Sequence, residues 1–263
     1  MDLANDSGPH RRINGFGLSI KRNGQSSSKK SQLKPWQNIQ WCIGKINGDY
    51  ISHMEDVLEV YNQAPIEGVA RVCFDERPCQ LLEDVYVPIP MKAQKAKKID
   101  HNYVRKGTCS LMLAYDLDRG ERYVQVKKQR RKSDYADFMD WLQKTHYNEA
   151  DKICLVQDNL NTHSYASFYE NLPLERASEL RRKYEFHFTP KNGSWLNMAE
   201  IEFSSAVRQC IRKRTKSMER LEADIKLWEA DRNQKKIKIS WSFTVPKARD
   251  KMKCQYIKLC DNN

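Results

Sequence analysis

The chain has 263 residues, 40% of them hydrophobic, enough for one sizeable domain with appendages or two small ones. Its net charge of +12 is gathered into blocks, which suits a polyanionic partner. No apolar run approaches membrane-spanning length, the first ten residues lack a signal peptide's basic start and apolar stretch, and the eight cysteines show neither Cys-x-x-Cys pairs nor a histidine at zinc-finger spacing. Composition thus argues against membrane insertion, secretion and a disulfide frame. Cys42, Cys73, Cys79, Cys109, Cys154, Cys210, Cys254 and Cys260 read as small reduced residues of a cytosolic protein.

In chain order, residues 1–32 hold Gly8, Gly15, Gly17, Gly24 and a Ser26-Ser27-Ser28 run with little apolar periodicity, which predicts a flexible basic tail. Residues 33–68 are expected to form a linker and a helix, because Ile51, Met54, Val57, Leu58 and Tyr61 make one apolar stripe over Tyr50 to Tyr61. Val69 to Phe74 is apolar on both parities, the pattern of a strand buried on both faces, and is ended by Asp75. The insertion that follows contains Pro78, Pro88 and Pro90, which argue against a long helix. Thr108 to Tyr115 and Arg122 to Val126 form a hairpin around the turn at 116–121, to which Asp116 and Asp118 belong. Ser133 is the expected N-cap of a helix using Tyr135, Phe138, Met139 and Leu142.

A fourth buried strand, Ile153 to Val156, leads to Asp158, and a helical region then runs to about Tyr184 before a short strand from Glu185 to Phe188. Pro190, Asn192 and Gly193 break structure ahead of a helix from near Asn197, with Ala199, Phe203, Ala206, Val207 and Cys210 on its apolar face. The order β, β, β, α, β, α, β, α matches the ribonuclease-H-like topology. The expected fold is therefore α/β, a mixed five-stranded sheet flanked by helices over residues 69–215, with 216–263 as a helical and extended tail packing on that core.

Three acids stand where this topology converges. Asp75 and Asp158 each end a core strand, and ligands gather at the carboxyl ends of such strands. Glu200 arrives from a helix. At 100° per residue Glu200 lies about 60° from the centre of that helix's apolar face and Glu202 about 100°, so Glu200 is aimed at the sheet and Glu202 is expected to be dispensable for chemistry. In the first turn a carboxylate is also favoured by backbone dipoles, with or without metal. Three converging carboxylates repel one another. They suit two Mg²⁺ ions, with Mn²⁺ as substitute, roughly 3.5–4 Å apart and clamping the attacking and leaving oxygens of a displacement at phosphorus. Asp75, Asp158 and Glu200 are accordingly the expected catalytic and metal-binding residues, and Glu76 and Glu202 the neighbours most easily mistaken for them. His163 is expected to start the next helix, and Trp195 and Leu196 to staple the start of the last one. Lys127, Lys128, Arg130, Arg131, Lys132, Arg212, Lys213 and Arg214 are the expected DNA contacts, the alternative for any one run being a solvated face.

Several stretches closely resemble transposases of the mariner superfamily with an Asp-Asp-Glu triad, specifically the bacterial insertion-sequence branch called insertion sequence six-thirty. They are Leu33-Lys34-Pro35-Trp36 with Gln40-Trp41-Cys42-Ile43, Met54 to Tyr61, Cys73-Phe74-Asp75-Glu76-Arg77-Pro78, Asp158-Asn159-Leu160-Asn161-Thr162-His163, Trp195-Leu196-Asn197-Met198-Ala199-Glu200, Trp228 to Asn233 and Trp241-Ser242-Phe243-Thr244. The resemblance covers roughly residues 33–256. It implies that Asp75, Asp158 and Glu200 bind metal, that the enzyme hydrolyses DNA at element ends and joins the new 3′-hydroxyl to target DNA, and that a homodimer works on duplex DNA in the bacterial cytoplasm. Members carry a helix-turn-helix region ahead of the linker, and its absence here reads as an N-terminal truncation or as one half of a frameshifted pair, with an upstream helix-turn-helix polypeptide as partner. A domesticated DNA-binding remnant and a stand-alone ribonuclease-H-like nuclease are the rival readings, the latter separable by its preference for an RNA–DNA hybrid over duplex DNA.

Overall fold

The computed structural model describes residues 46–211 and 213–260, so the expected tail over 1–32, the linker over 33–45 and Arg212 lie outside the described residues. Helix α1 (Gly48–Asn62) starts at Asn47, whose side chain accepts a hydrogen bond from Tyr50 N at 2.9 Å. Its apolar stripe is buried as the spacing predicts, with Met54, Val57 and Leu58 fully enclosed.

Strands β1 (Val69–Asp84), β2 (Tyr103–Asp116), β3 (Glu121–Lys127), β4 (Lys152–Gln157) and β5 (Tyr184–Phe188) make a five-stranded sheet in the order β3-β2-β1-β4-β5. β1, β2 and β3 are antiparallel neighbours, whereas β4 pairs parallel with both β1 and β5. Helices α2 (Lys132–His146), α3 (Tyr165–Asn171) and α4 (Leu174–Lys183) cover one face. On that side Val72, Phe74, Met112, Ala114, Ile153 and Leu155 pack against Tyr135, Phe138, Leu142, Phe168 and Leu180. The other face carries Cys73, Leu111, Leu113, Tyr115 and Val156, packed by α1, α5 (Met198–Ala206), α6 (Met218–Gln234) and α7 (Val245–Lys251). A last helix, α8 (Lys253–Cys260), follows α7. Alternate residues of β1 thus feed two separate apolar layers, which is why its sequence is apolar on both parities. Truncating a ring such as Phe74, which is fully buried, costs about 3–5 kcal/mol in a core of this kind.

Two expectations are corrected here. β1 does not stop at Asp75 but continues through Pro78 to Asp84, paired with a β2 that begins at Tyr103 rather than Thr108. β4 leaves the other edge of β1 after the pair Cys73↔Val156, so beyond it that edge is free and a proline without an N–H is tolerated. Residues 103–108 are exposed, so no apolar pattern announces the strand. Ser133 does not cap α2 either. The helix starts two residues earlier, with Arg131 as N-cap, and the Asp134 carboxylate accepts from Arg131 N at 2.9 Å. The helical region after β4 is two helices, parted by Leu172-Pro173.

Candidate active site

Strand register brings the first two acids together. Parallel pairing of β1 with β4 ends at Cys73↔Val156, and Asp75 and Asp158 lie two residues beyond those partners, on the same parity, where the two strands part. The third acid depends on Asn197. Its Oδ1 accepts from Ala199 N at 3.1 Å and so caps α5, while its Nδ2 donates to Phe74 O at 2.8 Å. One amide therefore starts the helix and pins it beside Asp75. Tyr61 adds a second anchor, its hydroxyl donating to Leu196 O at 2.8 Å. Glu200 sits in the first turn of α5, on the side of the sheet that Asp75 faces.

The electrostatics report the convergence directly. Burial, joined by the charges of Asp158 and Glu200, pushes the Asp75 carboxyl up to about 7 against the opposing pull of the Glu76 N–H, which donates to Oδ1 at 2.7 Å. Three carboxylates from a strand, a strand end and a helix thus share one field.

His163 stands between this cluster and the opposite face. It precedes α3, as expected of a residue at a helix start, yet its ring is 2% exposed and packs on Phe74 and Tyr135. Its Nδ1 lies 2.5 Å from Asp158 Oδ1 and 3.2 Å from Asp158 O, and its Nε2 is 3.2 Å from Glu76 Oε1. Burial disfavours the imidazolium, but Asp158 and Glu76 outweigh it and push the ring up to about 9. Asp75 and Glu76, adjacent in sequence, therefore point to opposite faces, one toward Glu200 and the other onto His163. Gln157 completes the underside, accepting from Tyr135 Oη at 2.8 Å and donating to His163 O at 3.4 Å.

Glu202 is fully buried between two arginines, accepting from Arg122 at 2.8 Å and from Arg232 at 2.9 Å through both oxygens. It ties α5 to β3 and α6. The helical-wheel angle placed it away from the sheet's apolar contacts but could not foresee the two guanidinium groups, one of them supplied by α6. Trp195 lies in a single 3₁₀ turn (Ser194–Leu196) and meets Phe243 edge to face. Asp116 and Asp118 are turn residues: Asp116 Oδ1 accepts from Asp118 N and Arg119 N.

Lys127 is paired through Ser110 to Pro78, so the end of β3 lies at the same end of the sheet as Asp75. Lys128, Arg130 and Arg131 follow, all exposed, and Lys213 is exposed as well. Lys132 is bound to Glu170 at 2.8 Å, and Arg214 is held by Asp84 at 2.8 Å and stacks on Tyr103, so these two already have partners within the chain. A cleft lined by Glu67, Asp116, Asp118, Glu149 and Asp151 opens at the other end of β1 and β4 and contains none of the three acids.

A mixed five-stranded sheet in this order, flanked by helices on both faces, is the ribonuclease-H-like fold. The sequence pattern of the DDE superfamily endonucleases matches residues 70–222, more than half of the chain, and the protein belongs to that family. Its fold is shared with solved mariner proteins. The Mos1 mariner paired end complex with Mn superposes with a TM-score of 0.53 at 12% identity, over 81% of this chain and 66% of that one. The Mos1 strand transfer complex gives 0.51 at 11% identity, over 79% and 62%. The catalytic domain of Mos1 mariner transposase gives 0.50 at 13% identity, over 74% and 90%. The chain thus spans just under two thirds of the first of these. No curated protein matches the chain. Among the described residues no helix is long and apolar enough to cross a membrane.

Proposed function

We propose that this endonuclease is the catalytic part of an insertion-sequence transposase of the insertion sequence six-thirty type, cutting and joining DNA phosphodiesters with Asp75, Asp158 and Glu200. The observation that carries the reading is the convergence of three carboxylates, Asp75 and Asp158 where β1 and β4 part and Glu200 in the first turn of the helix that Asn197 pins to Phe74 O. Such a site invites cations. The donor set is wholly oxygen, so the residues fit a hard divalent ion. Asp75, Asp158 and Glu200 would hold two such ions, Mg²⁺ or Mn²⁺; when bound, they activate the attacking oxygen and offset charge on the phosphate.

The chain's own groups do the rest. His163 fixes the Asp158 carboxylate from below, and its contact with Glu76 keeps the ring from turning. Asn197 sets the height of Glu200 against β1. Lys127, Lys128, Arg130 and Arg131 flank the carboxylates at the same end of the sheet and are assigned to backbone phosphates, which position duplex DNA without reading its sequence. A homodimer would give each of two element ends its own set of acids. Two of the structures that share the fold are a paired end complex and a strand transfer complex, which supports DNA ends as the substrate.

The test is substrate choice. Purified protein with Mg²⁺ or Mn²⁺ is expected to nick or join duplex DNA and to leave an RNA–DNA hybrid intact. Preference for the hybrid would replace the transposase reading with a ribonuclease.

A further inference from the structure

A second group of ligand atoms lies on the same face of the sheet, away from the three acids. Cys154 of β4 is the register partner of Glu185 on β5, and Val156 that of His187, so Cys154, Glu185 and His187 share one parity and face α1. One ligand atom from each, a sulfur, a carboxylate oxygen and a ring nitrogen, lies within 4.8 Å of the others. Asp56 of α1 holds His187 Nδ1 with both carboxylate oxygens, at 3.0 and 3.1 Å. The opposite nitrogen, Nε2, is buried and has no hydrogen-bond partner, with Glu185 Oε1 4.0 Å away.

We propose that Cys154, Glu185 and His187 bind a zinc-class divalent ion, with Asp56 as the group that orients the histidine. Three features of the site point to a metal. A buried imidazole nitrogen left without a partner is costly unless something occupies it. Carboxylate bonding at Nδ1 fixes the tautomer whose Nε2 lone pair is free, the arrangement that supports metal-bound histidine. Sulfur, nitrogen and oxygen together select a borderline-soft ion such as Zn²⁺ over Mg²⁺, and three protein ligands leave a fourth tetrahedral position for water. Arg71, beside Cys154 on β1, is turned to Asp118 and to the carbonyls of Val60 and Gln63. Cys154 and Asp158 are four residue steps apart along extended chain, on the order of 13 Å, so this ion is separate from those of the acidic site. Its place, joining edge strand β5 to β4 beside α1, makes it a clasp on the sheet edge. Linear spacing conceals it, because Cys154 lies far in sequence from Glu185 and His187 and meets them only through strand pairing.

Cobalt is the probe. Co²⁺ titrated into the reduced full chain should raise a thiolate-to-metal absorption band in the near ultraviolet, saturating at one equivalent, removed by Zn²⁺ and untouched by Mg²⁺. The band should vanish in Cys154→Ser and His187→Gln and survive in Asp158→Asn and Cys254→Ser. Asp56→Asn, on the surface of α1 and not itself a ligand, should fold and weaken Co²⁺ binding by about 10–100-fold. Zn²⁺ should raise the melting temperature of the wild type and leave that of Cys154→Ser unmoved. Absence of the band in the folded wild type, its persistence in Cys154→Ser, or unchanged affinity in Asp56→Asn would overturn the site, and none of these outcomes bears on the acidic triad.

Discussion

Glu202→Gln is predicted to unfold this protein more readily than any change at the three acids. Both oxygens of Glu202 are engaged, two by Arg122 and two by Arg232, and the Arg122 and Glu202 side chains are wholly buried. A neutral amide in that place leaves two guanidinium groups with no negative partner. Breaking one member out of a buried ion pair costs about 3–5 kcal/mol, since the remaining charge stays desolvated. For a chain of this size each kcal/mol moves the melting temperature by roughly 2–4 °C, so the fall should be on the order of 6–20 °C. Thermal unfolding followed by circular dichroism measures it. Glu200→Gln, half-exposed and without such partners, should move stability by less than about 1 kcal/mol, the scale of a charge at a helix start. Replacing Glu202, Arg122 and Arg232 together by apolar residues of similar volume should cost less than Glu202→Gln alone. A loss below about 1 kcal/mol for Glu202→Gln would refute the buried triad and reopen Glu202 as a candidate for chemistry.

Three further outcomes follow from the same geometry. Burial alone would raise the Glu202 carboxyl, but Arg122 and Arg232 hold it below its ordinary value of 4.5. Its stabilisation is therefore complete above that value and lost as pH falls through the lower, folded value, so acid melting curves of Glu202→Gln should be flatter below pH 4.5 than those of the wild type. His163→Gln should slow cleavage and weaken Mn²⁺ dependence by about 10–100-fold, the usual effect of losing a group that orients a ligand; unchanged kinetics in a folded variant would remove His163 from the site. DNA affinity should fall with salt at a slope of about −0.9 per phosphate neutralised, and Lys127→Ala with Arg130→Ala should reduce that slope by nearly two, whereas a salt-insensitive affinity would sink the assignment of the basic run.

The sheet was legible because strands buried on both faces leave an unambiguous signature, as in Val69 to Phe74 and Ile153 to Val156. The long arm formed by the outer halves of β1 and β2 was not, since the exposed Arg77, Pro78, Gln80 and residues 103–108 carry no burial pattern and a proline misleads at a strand edge. The three candidate acids stood out in the sequence because each of the first two closes an apolar run and the third opens a helix, although Asp75 lies within β1 and not at its end. Their supports did not. His163, Gln157 and Asn197 act through contacts with Glu76, Tyr135 and Phe74 that only the folded chain brings near. The wheel angle set Glu200 nearer the sheet than Glu202, yet it is Glu202 that is fully buried, held by Arg122 and by Arg232 from a helix beyond the core. Arg214, grouped by sequence with its basic neighbours, is turned inward to Asp84.

The most direct measurement is nicking of supercoiled plasmid by the wild type and by Asp75→Asn, Asp158→Asn and Glu200→Gln, each first shown by circular dichroism and melting to be folded. Cleavage is expected in Mg²⁺ or Mn²⁺, none with a chelator, and none above background in any of the three variants. Retained cleavage by folded Asp158→Asn would contradict the account at its centre.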